Sequence, residues 1–279
     1  MKTSIKHLLT VCFVAGTTLY ASAQTLPKPS PGAEVEQTVG ATEIQIEYSR
    51  PGVKGRTIFG DLVPFDKVWR FGANSATTIE IEHSLFIGGE ELKAGTYSMF
   101  ATPGKTSWTI VFNTDTKASS DSYDTKKDAL RVITKPVENS FTETFTLGFD
   151  NISDTSANIV VLWENTKVAI PFTVNTKENS IANIKEAIKE GDDLNSVYNN
   201  AANFYYGTMK DNKTALEYVN KSISLKEDYR NLFLKARIIS ATNKVEAVTI
   251  ATKALELAKK DGSVGYQNFI SGTIAKWNK

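Results

Sequence analysis

Past residue 23 the chain contains no cysteine and a single histidine, His83. Without cysteine there can be no disulfides, thiolate zinc sites or Cys–His nucleophiles, and one histidine cannot build a multi-histidine metal site. A Ser–His–acid triad would have to recruit His83, yet no Gly-x-Ser-x-Gly elbow supplies the serine. His83 keeps the parity of Ile79 and Ile81, so it reads as the inner end of a strand. Gly104-Lys105-Thr106 imitates the end of a phosphate-binding loop, but Met99 stands where that loop needs its first glycine. Asp115, Asp121, Asp124 and Asp128 lack calcium-loop spacing and a closing glutamate, and read as a solvated acidic loop. Glu80 and Glu82 share one strand face, the ordinary pattern of a solvated strand rather than a glycosidase pair. From these absences we expect no catalytic residue, no metal ligand set and no cofactor. The formal net charge is +1, without the basic excess of a nucleic-acid binder.

The first residues carry their own signal. Lys2 and Lys6 precede an apolar run from Leu8 to Tyr20, and Ala21-Ser22-Ala23 follows. This is the layout of a secretory signal peptide over residues 1–23, cleaved between Ala23 and Gln24. Cys12 raises lipidation as an alternative, but Val11 precedes it and the apolar run continues well beyond. The expected location is therefore periplasmic or extracellular. No later apolar stretch reaches the ~20 residues of a membrane span.

Composition divides the remainder near residue 175. Residues 24–175 carry 14 Lys/Arg against 19 Asp/Glu, while residues 176–279 carry 16 against 12. In the first part apolar residues recur with period two: Ile44-Ile46-Tyr48, Ile79-Ile81, Trp108-Ile110-Phe112, Phe145-Leu147-Phe149 and Val168-Ile170-Phe172. Each set predicts a strand with one buried and one solvated face. Gly88-Gly89, Pro103-Gly104 and Asn165-Thr166 are read as the turns between such runs. Some nine or ten short antiparallel strands predict a β-sandwich or jelly-roll-like domain over residues 24–175.

One segment, Tyr48 to Thr77, breaks the alternation. It is long for a connection, rich in Gly and Pro, and holds Arg50, Arg56 and Arg70, three of the chain's six arginines, with Trp69 and Asn74. Long ordered loops on a rigid β scaffold are where sites tend to lie. Arginine's planar fork of donors matches carboxylate, phosphate or sulfate oxygens. Tryptophan can stack on a sugar face, and asparagine both donates and accepts. Arg50, Arg56, Trp69, Arg70 and Asn74 are thus a candidate site for an anionic or glycan-like ligand. The competing reading has the three arginines tying the loop down through ion pairs with acids of the same domain.

The string Tyr48-Ser-Arg-Pro-Gly-Val-Lys-Gly-Arg56, then Ile58-Phe-Gly60, then Val68-Trp-Arg-Phe-Gly-Ala-Asn-Ser-Ala-Thr77 resembles an exported bacterial family, domain of unknown function 2911. Leu92-Lys-Ala-Gly-Thr-Tyr-Ser-Met-Phe100 and Lys127-Asp-Ala-Leu-Arg131 continue the likeness, which covers residues 24–175. Phe71 departs from it, where a polar residue is expected before the glycine. The resemblance implies export and a β-rich fold, and it implies no activity.

After Thr176 the period becomes helical, and six helices are predicted, broken near Gly191, Gly207 and Gly262. Ala215-Leu-Glu-Tyr-Val-Asn-Lys-Ser-Ile-Ser-Leu225 parallels Ala247-Val-Thr-Ile-Ala-Thr-Lys-Ala-Leu-Glu-Leu257 at an offset of 32 residues. The spacing is close to the ~34-residue repeat of tetratricopeptide helix pairs, which this part resembles. Asn203 and Lys235 depart from that pattern, as do Glu227 and Lys259. The resemblance implies an α-helical hairpin domain over residues 176–279 that binds a protein partner. A plainer reading has the helices packing on one another and on the sandwich, their positive charge facing the acidic domain.

The function expected is an exported, non-catalytic binding protein of the cell envelope. The loop would hold an anionic or glycan-like ligand and the helices a protein partner, with no nucleic acid and no transmembrane segment. The alternatives are a hydrolase using strand-borne carboxylates near the Arg50–Asn74 loop, or a purely structural envelope component.

Overall fold

The computed structural model describes residues 26–279, so the leader read at residues 1–23 lies outside the described residues. Ten strands come first: β1 (Gly32–Val39), β2 (Thr42–Ser49), β3 (Thr77–Ile81), β4 (Leu85–Ile87), β5 (Glu90–Leu92), β6 (Gly95–Pro103), β7 (Trp108–Asn113), β8 (Asp128–Thr134), β9 (Pro136–Asp150) and β10 (Ser156–Val174). Two antiparallel sheets result, ordered β1-β2-β3-β6-β7-β8 and β5-β4-β10-β9. Neighbours in the larger sheet are mostly consecutive in sequence, and the short β4–β5 hairpin and the long β9–β10 hairpin make up the second. Alternation dictates the burial. In β2, Thr42, Ile44, Ile46 and Tyr48 point inward while Glu43 and Glu47 are exposed. The inner faces of both sheets merge into one core that includes Ile79, Trp108, Phe112, Phe145, Trp163 and Phe172.

The Gly88-Gly89 and Pro103-Gly104 turns are where alternation puts them. Asn165-Thr166 is not a turn. β10 runs through it, with register shifts against β9 between Leu162 and Thr166, and Glu164 takes φ 54°. A bulge puts two residues opposite one and interrupts the parity, which in sequence looks the same as a turn.

The helices follow: α1 (Thr176–Glu190), α2 (Leu194–Phe204), α3 (Asn212–Leu225), α4 (Tyr229–Ile239), α5 (Lys244–Asp261) and α6 (Val264–Trp277), with a π-helical turn at Tyr205–Met209. Their ends are chemically set. Asp211, Asp228 and Asn243 accept first-turn N–H groups of α3, α4 and α5. Gly191 and Gly262 close α1 and α5 in the left-handed region, where a side chain is costly. Consecutive helices pack on one another, and small residues dominate the contact: Ala236, Ala247, Ala251, Ala254 and Ala258 are fully buried. No helix among the described residues is long and apolar enough to cross a membrane.

The strands do not pack broadly on α2–α6. The halves join through polar side chains on α1: Asn179 Nδ2 donates to Thr42 Oγ1 at 2.8 Å and Asn183 Nδ2 to the Ala41 carbonyl at 3.2 Å. His83 is a joint in this seam. It lies just beyond β3, half-buried, 2.7 Å from Asn183 Oδ1, rather than on the strand's inner face. Gly40 lets the seam close: a Cβ there would run into Thr176 and the Asp154 carbonyl. Among the described residues no ion pair links the acidic sandwich to the basic helices.

Candidate functional site

The irregular segment between β2 and β3 is built into both sheets. Near its start it adds to β9: Phe145 N–H donates to the Pro51 carbonyl at 2.9 Å and Val53 N–H to the Glu143 carbonyl at 2.7 Å. Further on it adds to β6, in the space left because β3 has only five residues. Trp69 and Ala101 exchange both backbone bonds, at 2.7 and 2.9 Å, and Asp66 N–H reaches the Pro103 carbonyl at 2.8 Å. Between these anchors Ile58, Val63, Trp69 and Phe71 are buried with the core. The segment is a plug between the sheets.

Trp69 is the plug's centre. It stacks on Trp163 at 5.9 Å and 18°, meets Phe59, Phe71, Trp108 and Phe145 edge-on, and donates its indole N–H to the Gly72 carbonyl at 3.0 Å. Only 8% of it is exposed, so it is a floor and not a free platform for a sugar ring. The indole nitrogen of Trp163 is buried without a hydrogen-bond partner among the described residues. Phe71 holds φ 55°, in the left-handed region, where a bulky side chain is strained and Asn or Asp is better tolerated. Complete burial against Trp69 and Phe145 offsets that strain.

Beside Trp69 opens a cleft of about 320 Å³, with Lys54, Arg56, Arg70 and Asn74 among its walls. Each arginine is held by backbone carbonyls. Arg56 donates from Nε to Val53 O at 3.0 Å and from an Nη to Gly52 O at 2.6 Å, and Arg70 donates to Asn74 O at 2.6 Å. Asn74 spends its amide on Ser30 O and Ser49 Oγ, both at 3.1 Å, which pins the segment before β1 as a further wall. Arg50 points elsewhere: it donates to Phe145 O at 3.1 Å and Thr146 Oγ1 at 2.8 Å. The loop anchor on β9 turns it away, so its role is to fix the plug and it does not line the cleft.

The ion pairs expected of the arginines do not form. Arg50, Arg56 and Arg70 have no carboxylate within 4.0 Å among the described residues. No acid lines the cleft, and nearby Glu143 accepts the Lys54 backbone N–H at 2.9 Å. Sequence reasoning missed Lys54, Leu62 and Trp163 as lining residues. Lys54 and Leu62 were legible as members of the same loop, whereas Trp163 comes from β10, and no local signal places it there.

The acidic loop after β7 is internally bound. Lys127 donates to Asp115 at 2.7 Å, and that bond leads the causes holding the Asp115 carboxyl below its usual range. Tyr123 donates to Asp128 at 2.7 Å; burial first, then that carboxylate, push its phenol up to about 12.

No curated protein and no solved structure matches this chain. The family described as protein of unknown function (DUF2911) matches residues 30–172, a span that takes in the whole plug and every cleft residue from Ser30 to Trp163. The chain belongs to the DUF2911 family.

Proposed function

We propose that the protein is an exported binding protein whose cleft beside Trp69 captures an anion. The observation that carries this is three cationic side chains, Lys54, Arg56 and Arg70, around a cleft with no carboxylate in its lining. Arg56 commits two of its five N–H donors to carbonyls and Arg70 one, which orients both forks and leaves donors unspent. Preoriented donors lose little entropy on binding, and a charge-assisted hydrogen bond is worth ~1.5–3 kcal/mol. The lack of any acid in the cleft speaks for binding over carboxylate hydrolysis.

Thermal unfolding of the purified protein against phosphate, sulfate and acetate tests this. At least one anion should raise the melting temperature, and Arg56→Ala with Arg70→Ala should abolish the rise while Arg70→Lys keeps part of it. No rise with any anion, or an unchanged rise in the double variant, rules the reading out.

The helical half carries the second part of the proposal, a protein partner. Leu225, Val245, Val264 and Phe269 are exposed on it, and the strands leave it largely uncovered. Replacing these four by serine should abolish any partner complex and leave the anion response intact.

A further inference from the structure

We infer that the anion is a small organic acid of about ten non-hydrogen atoms in all, an oxyanion head on an apolar body. This rests on the anion reading of the cleft and names the class of ligand. The lining is divided. Lys54, Arg56 and Arg70 supply the charge, while Trp69, Trp163 and Val63 supply a buried apolar floor and Leu62, 43% exposed, an apolar rim. Inorganic phosphate or sulfate would satisfy the cations and leave that floor wet.

A neutral sugar fits worse. Its hydroxyls donate as well as accept, and the carbonyls offered by Gly52, Gly72 and Asn74 already take N–H donors from Arg56, Trp69 and Arg70. With no acid in the lining, the cleft offers donors and few acceptors. Size sets the body. At roughly 30 Å³ of liquid volume for a water-sized group, the cleft of about 320 Å³ holds about ten such groups. A C16 chain would leave most of its length in water.

The test is calorimetric titration of the purified protein with acetate, butanoate, hexanoate, octanoate and dodecanoate, with phenylacetate, inorganic phosphate and hexanamide beside them. Affinity should climb roughly threefold to fourfold per added methylene from acetate and level off near octanoate. Phenylacetate should bind at least tenfold tighter than acetate or phosphate. Leu62→Ser should flatten the climb, weakening octanoate severalfold more than acetate. Acetate or phosphate binding as tightly as hexanoate overturns the organic-acid inference and leaves the anion reading standing. A climb continuing unchanged through dodecanoate overturns the size limit and points to a lipid tail. Hexanamide matching hexanoate, or no anion binding at all, removes the anion reading itself.

Discussion

In the sandwich the largest fully buried side chains are Trp108, Trp163, Phe71, Phe100, Phe112, Phe145 and Phe172; in the helices Ala201, Ala215, Ala236, Ala247, Ala251, Ala254 and Ala258 are buried as completely. Spacing explains the contrast. Sheets stacked face to face lie ~10 Å apart, and two layers of large side chains are needed to fill the gap. Helices meet along ridges and grooves, and alanine lets their backbones approach. The helical half adds specificity with polar groups: buried Ser222 and Asn231 bond each other at 3.1 Å, and Asn195 reaches Ser222 from α2 at 3.1 Å. One half therefore depends on bulk and the other on its absence, so equivalent injuries have opposite chemical form.

Emptying one core and overfilling the other should injure the two halves separately. Phe145→Ala removes a ring that touches Tyr48, Trp69, Phe71 and Trp163, and should cost ~3–5 kcal/mol in denaturant unfolding. Three of the four tryptophans lie in the sandwich, so fluorescence should report this loss. Far-UV circular dichroism at helical wavelengths should move less, because the bonds that join the halves are polar ones on α1. Ala254→Leu should cost ~1–3 kcal/mol by overpacking and show the reverse signature. Coincident shifts by both probes in both variants would mean that the halves fold as one unit.

Smaller changes sharpen the boundary. Gly40→Ala places a Cβ at φ 59° against Thr176 and Asp154 O, and should cost at least ~1–2 kcal/mol with faster proteolysis between residues 174 and 193. Tyr123 supplies a pH arm. Its folded pKa is raised to about 12, so its contribution is complete below the unfolded value and is lost as pH rises through about 12. Tyr123→Phe should therefore lose less stability than the parent between about pH 10 and 12. Asp150 runs the opposite way. Its bond to Lys167 at 2.7 Å leads the causes lowering its pKa, so its contribution is present above the ordinary carboxylate range and fades as pH falls through the folded value. Asp150→Asn should cost under ~1 kcal/mol at pH 7 and nothing in strong acid.

Much of this architecture was legible in advance because each element has one buried face. Period two marked the inner residues of β2, β3 and β7, and Gly191 and Gly262 marked helix ends. Legibility failed where local parity and tertiary geometry part. The bulges of β10 at Asn165 looked like a turn. His83 kept strand parity but lies past the strand's end, on the seam with α1. Of the five candidate site residues, Arg56, Trp69, Arg70 and Asn74 meet at one cleft, whereas Arg50 is spent on β9.

The two halves, their element types and the loop that carries the cations follow from local patterns, because burial period and turn chemistry are properties of short stretches of chain. Long-range packing makes the loop a plug and Trp69 a floor, and it brings in Trp163 from more than ninety residues away. It also decided that the three loop arginines bond to carbonyls and have no carboxylate within 4.0 Å among the described residues. Which donor finds which acceptor depends on two sheets closing on each other, and no stretch of chain contains that information.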